Sequence, residues 1–328
     1  MTLGPLMFHP IYKPRIWGGD RIFTHFARRP ATAEPIGESW ELADLEENQS
    51  RIRGGPRDGR PLGELRAEAG RELLGDVPLF EGRFPLLIKF LDAQTRLSVQ
   101  VHPTEAVARK LGGHVRVKHE AWYVLAAEPD GAIYHGLEPG VTAGVFREAM
   151  LSGKVERVLR RVPVRVGQCY YLPSGTVHAL GAGVLVAEIQ TPSDITYRTY
   201  DWGRVDPSTG RPRALHLNQA MECIDFGGPQ PQPTQPLSPV AAEGASVSRV
   251  TTCESFLIDR VEMVGGAGRT IAGGEPVVWI VLDGSGSIEG PPEAAFSRGD
   301  VILLPAAMGN IQVRAEGSLT CLEVTVPH

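Results

Sequence analysis

The sequence predicts a mainly β protein made of two related β-barrels with a few short helices inserted. Three observations lead there. Gly (38) and Pro (27) punctuate short β-branched and aromatic runs throughout the 328 residues, as expected of strands joined by tight turns. Apolar residues make up 42% and charged residues 22%, which fits a packed globular chain and not a disordered one. The chain also echoes itself. Gly167-Gln168-Cys169-Tyr170-Tyr171-Leu172-Pro173-Ser174-Gly175-Thr176-Val177-His178 aligns without gaps to Gly299-Asp300-Val301-Ile302-Leu303-Leu304-Pro305-Ala306-Ala307-Met308-Gly309-Asn310. Upstream, Trp122-Tyr123-Val124-Leu125 resembles Trp279-Ile280-Val281-Leu282. Two copies of one unit explain both matches, and the length is large for a single core.

In chain order, strands are expected at Phe84–Leu91, Leu97–Val101, Ala121–Ala126, Gly131–His135, Gln168–Leu172, Val184–Gln190, Val277–Leu282, Val301–Leu304 and Leu319–Val326. Pro61–Leu74 has helical apolar spacing. Thr104 is placed to cap a helix over Glu105–Leu111, stopped at Gly112-Gly113. Thr142–Arg161 reads as one or two amphipathic helices broken at Gly153, with Arg157, Arg160 and Arg161 on a solvated face. Phe226–Val247 is rich in Pro and Gln and poor in large apolar residues, so it is the expected linker. The expected organisation is a first domain over residues 1–225 with a helical insertion near 142–161, a linker over 226–247, and a second domain over 248–328.

Three segments carry the chemistry. Leu97-Ser98-Val99-Gln100-Val101-His102-Pro103 places Gln100 and His102 two apart, on one face of a strand. Lys118-His119-Glu120 opens a second strand, and His178 follows a Pro-Ser-Gly turn. Two His, one Glu and one Gln make an N/O shell for a borderline divalent ion such as zinc. The second copy has Val277 and Asn310 where the first has Glu120 and His178, so it is expected to be metal-free and to serve in packing. His9, His25, His114, His119, His135 and His216 are expected to be surface or structural residues.

A net charge of −5 argues against a general nucleic-acid surface. No apolar run approaches the length of a membrane span, and the start lacks a targeting pattern. A cytoplasmic protein, monomeric or weakly dimeric, is expected. Cys169, Cys223, Cys253 and Cys321 form no Cys-x-x-Cys pair and are read as free thiols.

The segment from Gly167 to His178 resembles the second signature motif of the cupin superfamily. Together with Leu97–Pro103, Lys118–Tyr123, Tyr197-Arg198-Thr199-Tyr200-Asp201-Trp202, Pro14–Gly19 and Gly37–Glu41, it resembles the type I phosphomannose isomerases in their short bacterial form. The likeness is good from about residue 8 to 225 and degenerate beyond. It implies two cupin (jelly-roll) β-barrels and interconversion of mannose 6-phosphate and fructose 6-phosphate. By that resemblance Gln100, His102, Glu120 and His178 are zinc ligands. Lys118, Glu188, Arg198 and Arg204 fall on substrate-site positions. His119 departs from the family, which usually has a small residue there.

Isomerisation of this kind moves a proton between C1 and C2 through an enediol-type intermediate. A metal polarises the sugar oxygens and a side-chain base carries the proton. Glu188 is the first candidate for that base, Lys118 for stabilising the oxyanion, and Arg198 and Arg204 for gripping the phosphate. Which group moves the proton stays open in the sequence. Trp17 either walls the sugar pocket or plugs the barrel, and Glu38 either faces the site or pairs with an arginine. Two rival readings are an iron oxygenase using the same pocket and a non-catalytic module that binds sugar phosphates.

Overall fold

The structure is a computed structural model that describes residues 3–29, 32–207, 209–228, 232–290 and 293–327. Strands dominate and helices are few and short. Two compact units emerge, each interleaved in sequence.

The first unit comprises residues 12–39 and 88–233. It holds a five-stranded sheet in the spatial order Leu159–Pro163, Ala132–Leu137, His178–Leu180, Val99–Val101, Tyr197–Tyr200. A six-stranded sheet, largely within this unit, runs Cys169–Leu172, Glu120–Ala127, Val184–Gln190, Leu87–Ala93, Ile36–Leu42, Ile11–Gly19. Side chains from both sheets form one core cluster, with Trp17, Leu91, Trp122, Val124 and Val186 from the larger and Ile133 and Leu180 from the smaller. Alternation along each strand sends one set of residues into that core. Burial of these large apolar groups is the main stabilising term.

The second unit comprises residues 1–11, 40–87 and 234–328. It contains an eight-stranded and a four-stranded sheet. Its core gathers Trp279, Val281, Ile302, Leu304 and Cys321. Val277 is buried, and Asn310 accepts the Gly273 N–H at 3.3 Å. Among the described residues the one His/Cys/Asp/Glu group able to hold a metal lies in the first unit.

The expected division at 225 and 248 therefore needs correction. Strand Leu6–His9 pairs with Val301–Leu304, with Leu6 opposite Leu303, and continues against Arg51–Ile52. These pairings draw the N-terminal segment and residues 40–87 into the second unit. The expected linker is also too long, because Val240–Ala242 and Ala245–Thr252 form a hairpin. Thr104 caps Glu105–Leu111 as expected, its side chain accepting from Val107 N. The segment 142–161 is an α-helix over Ala143–Ser152, closed by Gly153 in the left-handed region, followed by one 3-10 turn at Val155–Arg157. Leu159–Pro163 is a strand, antiparallel to Ala132–Leu137. Val158 and Leu159 are buried; Arg160 and Arg161 lie on that strand, and Arg157 ends the short 3-10 turn Val155–Arg157, so the three do not share one amphipathic helix face.

Candidate active site

Three strands bring the expected metal-ligand residues together. Gln100 lies on Val99–Val101, and His102 follows directly; Glu120 opens Glu120–Ala127 and His178 opens His178–Leu180. His178 sits opposite Gln100 in register, and their Nε2 atoms are 3.1 Å apart. A half-turn of the Gln100 amide exchanges its oxygen and nitrogen. The ligand atoms of His102, Glu120 and His178 all lie within 4.8 Å of one another, and all three residues are buried.

Each imidazole is aimed by its other nitrogen. His102 Nδ1 donates to the Ile195 carbonyl at 2.9 Å, and His178 Nδ1 donates to the Thr176 carbonyl at 2.8 Å. Each Nε2 is thereby left as a lone-pair donor facing inward. His178 Nε2 is 3.1 Å from Glu120 Oε1, and His102 Nε2 is 3.4 Å from Glu120 Oε2. Lone pairs thus face a carboxylate with no proton between them, which a divalent cation would reconcile. His102 Nε2 and Glu120 Oε1 are buried without a hydrogen bond.

The electrostatics keep His102 neutral and Glu120 ionised. Burial, with help from the Lys118 charge, pushes the His102 imidazolium down to about 3. Burial alone would raise the Glu120 carboxyl, but Lys118 and the two histidines hold it well below the usual carboxylate range. Lys118 Nζ lies 2.7 Å from Glu120 Oε2. Burial would in turn lower the Lys118 ammonium, yet Glu120 and Glu188 prevail and raise it. One carboxylate, two imidazoles and an amide suit a borderline divalent ion.

A cleft of about 370 Å³ is lined by Gln100 of this group, a volume suited to a small ligand. Trp17, Leu91 and Leu97 supply apolar wall, and Lys118 and Glu188 supply titratable groups. Glu188 is 2% exposed. Its Oε1 accepts the Trp122 indole N–H at 3.0 Å, and its Oε2 lies 3.3 Å from Lys89 Nζ. Burial raises the Glu188 carboxyl; Lys118 and Lys89 oppose this without cancelling it.

Arg198 lines the cleft, its Nη1 held by the Ala214 carbonyl at 2.9 Å. Trp17 is buried, packs in the core cluster and lines the cleft. Arg204 is placed elsewhere: it bonds Asp201 and the Arg96 carbonyl and is absent from the cleft lining. His119 turns away, its Nδ1 3.1 Å from the Tyr171 hydroxyl. Glu38 lines the cleft and pairs with Arg15 at 2.7 Å. Lys89 and Arg213 also line the cleft and escape the sequence reading. A signal exists for Lys89, the one charged residue between Phe84 and Leu91 in an apolar strand, since a fully buried lysine is rare without a partner. Arg213 has none, because its loop reads as solvated.

A buried imidazole–carboxylate group beside a cleft with paired lysine and glutamate defines a metal-binding enzyme of the cupin fold. Residues 6–130 match the family model for the phosphomannose isomerase type I catalytic domain. Over 325 residues the chain is 35% identical to mannose-6-phosphate isomerase ManA of Bacillus subtilis (strain 168), covering 98% of this chain and 99% of that protein. It is 33% identical over 325 residues to the mannose-6-phosphate isomerase of Streptococcus mutans, covering 97% and 99%. The crystal structure of the mannose 6-phosphate isomerase from Bacillus subtilis superimposes with a TM-score of 0.88 at 30% identity, covering 98% and 99%. The chain belongs to the type I phosphomannose isomerase family.

Proposed function

We propose that this chain is a zinc-dependent isomerase interconverting mannose 6-phosphate and fructose 6-phosphate. The observation that carries the reading is the placement of Glu188 and Lys118 in one cleft with Gln100 of the ligand group, within a family of that activity. Gln100, His102, Glu120 and His178 would hold the ion, and a bound zinc supplies Lewis-acid polarisation of the sugar oxygens.

The chain's own residues do the rest. Glu188 takes the C2 proton of the open-chain aldose and returns it to C1, while the hydroxyl proton passes from O2 to O1. Its raised pKa suits a base that must later give the proton back. Trp122 and Lys89 fix the carboxylate's orientation through its two oxygens. Lys118 offers its ammonium to the developing enediolate oxygen. Arg198 supplies cationic charge for the phosphate, and the Trp17 wall excludes water. The second unit is a metal-free barrel whose role is packing, a reading supported by Val277 and Asn310 at its echo positions.

The experiment is to strip the protein with chelator, restore zinc, and follow conversion of mannose 6-phosphate to fructose 6-phosphate. Activity should vanish and return. A folded, metallated protein with no turnover overturns the substrate assignment. Recovery with another divalent ion but not with zinc overturns the metal.

A further inference from the structure

Asp201 is 6% exposed and stands at the end of strand Tyr197–Tyr200. Its two oxygens hold Arg213 side-on, with Arg213 Nε 2.8 Å from Oδ2 and Nη2 2.5 Å from Oδ1. Arg204 Nη2 shares Oδ1, and Arg204 Nε donates to the Asp201 carbonyl at 3.2 Å. Arg213 lines the cleft beside Arg198, whereas Arg204 does not. Arg198 has a buried Nε without a hydrogen-bond partner.

The backbone here is strained in a way that fixes Asp201. Trp202 has φ +59°, a conformation that costs a bulky residue free energy and persists only where the surroundings impose it. Its indole N–H bonds the Leu97 carbonyl at 2.5 Å, and its ring stacks under the Arg96 guanidinium at 4.2 Å. Leu97 itself lines the cleft. The turn thus ties the carboxylate to the cleft wall.

We propose that Asp201 is a positioning residue: it clasps Arg213 at the cleft wall to complete, with Arg198, the grip on the substrate phosphate, and Arg204 braces the clasp without touching substrate. The proposal rests on the phosphosugar reading above. A side-on carboxylate fixes the plane of the guanidinium and leaves its other edge free for an anion. Two oriented forks bind a phosphate dianion far better than two mobile ones, because the ordering cost is met within the fold.

The test is calorimetric titration of the holoenzyme with inorganic phosphate, beside steady-state kinetics. Asp201→Asn should weaken phosphate binding and raise KM for mannose 6-phosphate by roughly tenfold, with kcat within about twofold. Arg213→Ala should do the same, and the double variant should be no worse than Arg213→Ala alone. Wild-type phosphate affinity in folded Asp201→Asn, or additive losses in the double variant, would overturn the clasp. If Asp201→Asn does not fold, Arg213→Ala decides alone: unchanged affinity there sinks the proposal. A protein that binds phosphate through this clasp but does not isomerise mannose 6-phosphate supports the clasp and overturns the substrate assignment.

Discussion

Trp122 and Glu188 are direct cross-strand partners, and the indole N–H of one meets the carboxylate of the other at 3.0 Å. The same relationship recurs in the second unit, where Trp279 sits opposite Glu323 and donates at 2.9 Å. The surroundings differ. Glu323 is engaged by both terminal nitrogens of Arg269, at 2.7 and 2.8 Å. Glu188 faces Lys89 at 3.3 Å and keeps a raised pKa through burial.

Glu188→Gln should cut kcat by about 10²–10⁴ while inorganic phosphate still binds. Trp122→Phe removes a hydrogen bond that favours the ionised carboxylate, so the Glu188 pKa should rise further. The base is lost as pH falls through that pKa. The acid limb of kcat/KM should therefore move to higher pH in Trp122→Phe. An acid limb that stays in place, or retained turnover in Glu188→Gln, would rule out Glu188 as the base.

The repeat shows how far the sequence could be read. The Gly-polar-strand-Pro echo and the Trp122/Trp279 match were legible because they are local and gap-free. The Glu188/Glu323 match was equally present, at the fifth position of Val184–Gln190 and of Leu319–Thr325. It passes unnoticed because a single Glu in an apolar strand carries no period. The grouping of Gln100 with His102 could be read from spacing, since the two share a face by strand geometry alone. The interleaving of the two units was not legible. The pairing of Leu6 with Leu303 joins segments nearly the whole chain apart, and no local pattern encodes it. Arg213 was hidden for a related reason: only the fold brings it to Asp201.

Glu120 supplies the one negative charge of the ligand group and is held ionised by Lys118 and the histidines. Glu120→Gln keeps the size but removes the charge, and it strands the buried Lys118 ammonium. Metal content per chain, measured by elemental analysis, should fall to near zero with loss of turnover. Near-stoichiometric metal in that variant would show that Glu120 is not a ligand.

Asp92 is fully buried, and Arg21 meets it twice: Nε to Oδ1 at 2.7 Å and backbone N to Oδ2 at 2.8 Å. Burial nonetheless raises its carboxyl. A carboxylate with a raised folded-state pKa favours folding below its unfolded pKa, and that contribution is lost as pH rises through the folded value. Arg21→Met leaves the charge uncompensated, at a cost of about 3–5 kcal/mol near neutral pH. Protonation relieves it, so the Tm gap between Arg21→Met and the parent should narrow on acidification. A gap independent of pH would assign the loss to packing of the Arg21 stem.

Gly18 and Gly37 let the strands Ile11–Gly19 and Ile36–Leu42 approach so closely that neither accepts a side chain. A Cβ on Gly37 would lie 2.5 Å from Arg15 Cβ and 2.7 Å from the Trp17 ring. Those two neighbours line the cleft, and Trp17 is 3% exposed, so neither can yield without disturbing it. Gly37→Ala should cost about 1–3 kcal/mol, the range for forcing extra volume into a packed site. Because the strain falls on cleft-lining groups, KM for mannose 6-phosphate should rise along with the loss of Tm. A fall in Tm with unchanged KM would mean that the strands part without moving Trp17 or Arg15, and that the apolar wall is set by the core cluster instead.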